Sequence, residues 1–189
     1  MVTDYVDRSH LVLEIDDSEA NPNPVVDFLT IPMGRIDHPN FAFLWIGSKR
    51  DAANLDALRA NGISFVVNCT RDHRDGGVKN FHENERGFRY FRIPLKDQES
   101  EHISLVGLQD AWKFMKRARE ADVNCLVHCS MGKSRSVAVL VSFIMHETGW
   151  SYEEALELVK KARYIAEPNP AFADRLRYLH ISGDIRLAD

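Results

Sequence analysis

The chain is poor in cysteine: Cys69, Cys125 and Cys129 are the only three in 189 residues. So sparse and odd a set, without metal-ligand spacing, excludes a disulfide scaffold and suits a reducing compartment. A basic excess is missing too. Twenty-four Lys and Arg stand against 28 Asp and Glu, for a formal net charge of −4, which weighs against a dedicated nucleic-acid binder. The longest apolar run, Ser136 to Met145, is about half the ~20 residues of a membrane span. Leu11-Val12-Leu13 is too short for the core of a secretory signal, and no basic start precedes it. Internal repeats and low-complexity segments are absent. The expectation is a protein of the cytoplasm, the nucleus or both, with no nucleic-acid partner and no membrane span.

What is present is ordinary globular usage, 44% hydrophobic and 28% charged, which excludes a disordered or collagen-like chain. The length suits one domain, and a chain of this size buries roughly 70% of its unfolded surface without staples. Charge is uneven. Residues 1–27 hold seven acids and one base, a net −6, against +2 for the remainder. Asn21-Pro22-Asn23-Pro24 reads as loop. Residues 1–29 are therefore expected to form an acidic arm, and 30–185 the folded domain.

Within the domain, apolar runs alternate with helical patterns. Phe41 to Ile46 reads as a strand ending at Gly47. Ser48 to Asp51 fits a capping box, opening a helix through Leu55 and Leu58 that stops at Gly62. Strands are expected at 63–67, 88–93 and 125–128, and a polar loop at 71–87. Helices are expected at 105–121, at 134–147 before Gly149, from a second capping box at Ser151, and from Asn169-Pro170. This alternation indicates an α/β class, with a mixed sheet flanked by helices.

The most informative segment is Val127-His128-Cys129-Ser130-Met131-Gly132-Lys133-Ser134-Arg135-Ser136. A strand ends at a cysteine, five residues form a loop, and an arginine opens a helix. Physically this is an anion cradle. Backbone N–H groups of Ser130 to Ser134 point inward, and the helix N-terminus adds its dipole. Gly132 permits the turn, and Arg135 offers a planar fork matching two phosphate oxygens. The same surroundings activate Cys129: a thiol near pKa ~8.5 can fall to roughly 3.5–7.5 in such a place. A leaving group needs a proton, and Asp97, on a loop just after a strand, is the candidate general acid. Glu99 and Glu101 are nearby substitutes.

His128-Cys129, five residues and Arg135 resemble the signature of the cysteine-based protein tyrosine phosphatases, and Gly132-Lys133-Ser134-Arg135-Ser136 resembles its dual-specificity branch. The similarity extends through Trp45-Ile46-Gly47-Ser48, Leu58, Gly62-Ile63, Val67-Asn68, Tyr90, Ile93, Asp97, Glu154-Ala155, Val159, Arg163, Pro168-Asn169 and Phe172, from about residue 31 to 183. It implies a protein tyrosine phosphatase-like fold. The activity implied is hydrolysis of phosphotyrosine, and of phosphoserine or phosphothreonine, through a phosphocysteine on Cys129. Asp97 then acts as acid and base, Ser136 assists hydrolysis of the intermediate, His128 supports the loop, and Asn169 braces it. The implied partner is a phosphoprotein substrate, with a protein kinase as a candidate. No metal and no other cofactor is implied.

Other readings stand beside this one. Cys129 alone is compatible with a buried structural thiol, and Asp97 with a helix cap. Cys125 reads as core, while Cys69, at the end of another strand, is either core or a redox partner of Cys129. Gly132-Lys133-Ser134 is not a nucleotide P-loop, because Val127 stands where that motif requires glycine. Lys133 admits a phosphoinositide phosphatase, although Ser130 holds the other position where a lysine is expected. A non-catalytic phospho-binding module is the alternative outside enzymology.

Overall fold

The computed structural model describes residues 27–185, so most of the expected acidic arm lies outside the described residues. The elements in chain order are β1 (Gly34–Arg35), β2 (Leu44–Gly47), α1 (Lys49–Ala53), α2 (Leu55–Ala60), β3 (Ile63–Asn68), β4 (Arg89–Arg92), α3 (Leu105–Glu120), β5 (Asn124–His128), α4 (Arg135–Thr148), α5 (Tyr152–Ala162) and α6 (Pro170–Ser182). The sheet order is β1-β2-β5-β3-β4. β1 pairs antiparallel with β2, and the other pairs are parallel. The expected single α/β domain with a mixed sheet is what the chain forms.

Strand alternation divides the core in two. Leu44, Ile46, Phe65, Val67, Cys125 and Val127 face the larger layer, which α3 to α6 supply. Trp45, Val66 and Leu126 face the smaller one, with Ala52 and Leu58 of α1 and α2. Helix α4 is buried continuously from Ser136 to Met145, as a helix apolar on all sides must be. It ends where Gly149 adopts φ +73°.

Two elements differ from expectation. Phe41 to Phe43 form a turn instead of strand: Phe41 N–H donates to His38 O at 2.9 Å, and Leu44 N–H to Phe41 O at 2.8 Å. Phe41 is still fully buried, edge-on to Phe143, and Phe43 is half-buried against the same core. The helix opened by Ser48 is two short helices. Asn54 interrupts it and caps the second, accepting Ala57 N–H at 3.0 Å, an alternative to helix that asparagine side chains readily supply.

Candidate active site

All four parallel strands end at one edge, with Gly47, Asn68 and His128 in register there and Asn68 opposite Arg92. Chain leaving β5 at that edge must turn at once to enter α4, and residues 129–134 make the turn. Gly132 carries φ +68°. A Cβ there would lie 2.5 Å from Gly47 O and 2.7 Å from Arg163 Nε, so the position accepts only glycine without displacement.

The loop's carbonyls are tied outward. Ser130 O accepts Lys49 N–H at 3.1 Å, and Lys133 O accepts Glu167 N–H at 2.8 Å. Met131 O and Gly132 O accept Arg163 at 2.7 and 2.9 Å. In a trans peptide the N–H points opposite to the carbonyl, so these ties turn the N–H groups of residues 131–134 toward the interior of the loop. Gly132 N–H donates to Cys129 Sγ at 3.2 Å, and Ser136 Oγ donates to the same sulfur at 3.3 Å.

Cys129 is 1% exposed. Burial pushes its thiol up, but the Arg135 guanidinium, the Ser136 hydroxyl and the N–H groups of Ser136 and Gly132 together outweigh it and leave the pKa lowered. Opposite stands Asp97, whose Oδ2 lies 3.4 Å from Arg135 Nε. Its Oδ1 accepts Ser134 Oγ–H at 2.7 Å and Asn169 Nδ2–H at 3.2 Å. Asn169 also donates its N–H to Ser134 Oγ at 3.1 Å while capping α6. Arg135 Nη2 donates to Ser130 Oγ at 3.1 Å. Thus Asp97, and neither Glu99 nor Glu101, is the acid joined to the loop.

His128 is fully buried, with Nδ1 at 3.2 Å from Cys129 O. Burial foremost, then Arg92 and Arg135, hold its pKa at about 4 against the pull of that carbonyl, so the ring is neutral and donates from Nδ1. Lys133 supplies its backbone to the loop, but its side chain is engaged at the rim, 2.8 Å from Glu167 and 5.4 Å from the Phe28 ring centroid. Met131 is exposed beside it. A groove of about 430 Å³ runs along Asp97, Met131, Lys133 and Asn169. Cys69 follows β3 directly and donates its N–H to His128 O at 2.8 Å. Burial, with Cys129 adding to it, keeps the Cys69 thiol protonated.

Sequence reasoning gave no role to Arg163 or to the N–H groups of Lys49 and Glu167. All three act on backbone carbonyls, and no residue-type spacing encodes such partners.

Known proteins share this arrangement of chain. The family model for the dual specificity phosphatase catalytic domain matches residues 44–180. Protein phosphatase Slingshot homolog 2 of Homo sapiens is 33% identical over 150 residues, covering 78% of this chain and 10% of that protein. Dual specificity protein phosphatase 9 of Homo sapiens is 34% identical over 170 residues, covering 90% of this chain and 41% of that protein. The chain therefore spans less than half the length of either relative. The crystal structure of human DUSP28 is similar with a TM-score of 0.69 and 30% identity, over 82% of this chain and 96% of that one.

Proposed function

The chain belongs to the dual-specificity phosphatase family, and from that premise we propose that it is a protein phosphatase acting on phosphotyrosine and on phosphoserine or phosphothreonine through a phosphocysteine. The observation that carries this reading is the sulfur of Cys129, held by Gly132 N–H and Ser136 Oγ at 3.2 and 3.3 Å, with the Asp97–Arg135 pair across the loop.

In the first step Cys129 Sγ forms a bond to phosphorus as the bond to the leaving oxygen breaks. Asp97 gives that oxygen its proton, and Arg135 with the inward N–H groups stabilises the equatorial oxygens. In the second, water attacks phosphorus and loses a proton to Asp97. The S–P bond breaks, and Ser136 Oγ donates to the departing thiolate, which regenerates the enzyme and releases hydrogen phosphate. The substrate class is phosphoprotein, with a protein kinase as a candidate partner and no nucleic-acid role. The chain's sparse cysteines and charge balance support a cytoplasmic or nuclear setting.

A small aryl phosphate tests the reading. Wild type should turn over and be trapped as phosphocysteine in acid quench, and Cys129→Ser should lose at least about 10³-fold in kcat. Equal inertness of both would favour a phospho-binding module. Comparison of phosphopeptides with phosphoinositides under one condition tests substrate class. Because Glu167 engages the Lys133 ammonium at the rim, phosphopeptides should be turned over faster.

A further inference from the structure

Arg163, the residue that ends α5, is used by no step above, yet it is 1% exposed despite its charge. Burial of a guanidinium is unfavourable unless its donors are satisfied, and here all five N–H groups are. Nε donates to Gly132 O at 2.9 Å and Nη2 to Met131 O at 2.7 Å. Nη2 also donates to Phe28 O at 3.2 Å, and Nη1 to Ile31 O and Pro32 O at 3.0 and 2.9 Å. Two acceptors thus lie in the phosphate loop and three in the segment that leads into β1. The 131–132 peptide is pinned at both ends, its oxygen on Arg163 and its N–H on Cys129 Sγ.

We propose that Arg163 is a positioning residue that sets the direction of the two central N–H groups of the phosphate loop, and that residues 28–32 are the backing against which it is held. This rests on the phosphatase reading of the same loop. Only a planar fork reaches five carbonyls at once. A lysine in its place keeps the charge but has three donors on one atom, so the central peptides lose their anchor. The cation behind the loop also interacts favourably with Cys129, which gives Arg163 a second, electrostatic route to the sulfur.

The test uses the full chain and two probes: inorganic phosphate as competitive inhibitor, and the pH dependence of Cys129 alkylation by iodoacetamide, with Cys129→Ser as blank. Arg163→Lys should weaken phosphate inhibition by about tenfold, raise the alkylation midpoint, and lower kcat by about 10²-fold, as misplacement on the ångström scale does. A folded Arg163→Lys protein with inhibition and midpoint indistinguishable from wild type overturns the proposal. If Arg163→Lys does not fold, Gly34→Ala serves instead. Its added Cβ would collide with Ala162 O and part the segment before β1 from the end of α5. It should move both readouts in the same direction, and unchanged readouts in that folded variant also overturn the proposal. A wild type that neither hydrolyses aryl phosphate nor binds phosphate overturns the phosphatase reading itself, an outcome distinct from the variants behaving as an active wild type.

Discussion

Asp97 and Cys129 must hold opposite protonation states at the start of a turnover. The sulfur must be ionised and the carboxyl must carry its proton, so kcat/KM should be bell-shaped in pH. The rising limb belongs to Cys129. Its burial opposes ionisation, and Arg135, Ser136 and Gly132 overcome that opposition, so this limb should lie below the range of a free thiol. The falling limb belongs to Asp97. Asp97→Asn should therefore keep the rising limb, lose the falling one, and lower kcat by about 10²–10⁴-fold. A pH–rate series on both proteins decides it, and an Asp97→Asn profile that retains the falling limb would assign the proton to another group. Two contacts fix Asp97 over the loop, one with Ser134 of the loop itself and one with Asn169 at the start of α6. The Asn169 brace was legible in the sequence only through resemblance, because the two residues are 72 positions apart.

Helix α1 is five residues long, too short to be stable through its own hydrogen bonds. Its start is held by Asp51, whose carboxylate accepts Ser48 N–H at 2.7 Å, Ser48 Oγ–H at 2.8 Å and Met33 N–H at 3.0 Å. The first N–H of this helix, Lys49, is the one that holds Ser130 O. Asp51→Ala should thus cost about 1–2 kcal/mol in urea unfolding, the scale of a lost cap, and should also weaken phosphate inhibition. Loss of stability with unchanged inhibition would show that α1 does not support the loop. The capping box itself was readable from Ser48 and Asp51, since the pattern is local. The break at Asn54 was not, because asparagine also occurs inside helices and the apolar pattern through Leu55 and Leu58 runs on past it. β1 was invisible: two residues, one of them Gly34, have no strand pattern, and only pairing with Trp45 and Ile46 defines them. Phe41 to Phe43 read as strand because apolar residues are buried in turns and strands alike.

At the scale of the whole molecule, the alternation of elements gives a mixed sheet whose four parallel strands end at one edge, and that is why a site at the end of β5 could be placed from the sequence. The same edge holds His128, the last residue of the central strand β5, fully buried and neutral. Unfolding exposes it, and its pKa returns from about 4 to the ordinary value of 6.5. Above pH 6.5 both states are neutral at this site and its linkage term is absent. As pH falls from 6.5 toward 4, the unfolded chain binds a proton that the folded chain refuses, so stability declines. The sum approaches about 3 kcal/mol, with most of it lost by pH 4.5. Cys129, whose pKa is also lowered in the folded chain, likewise adds stability as pH rises, so the measurement belongs in a Cys129→Ser background. Urea unfolding at pH 7.5, 6 and 4.5 should show this decline with His128 present. His128→Asn in the same background should flatten that part of the slope, whatever it costs at neutral pH. An equal slope in both would mean that acid sensitivity comes from the carboxylates and that the buried ring is not the sensor.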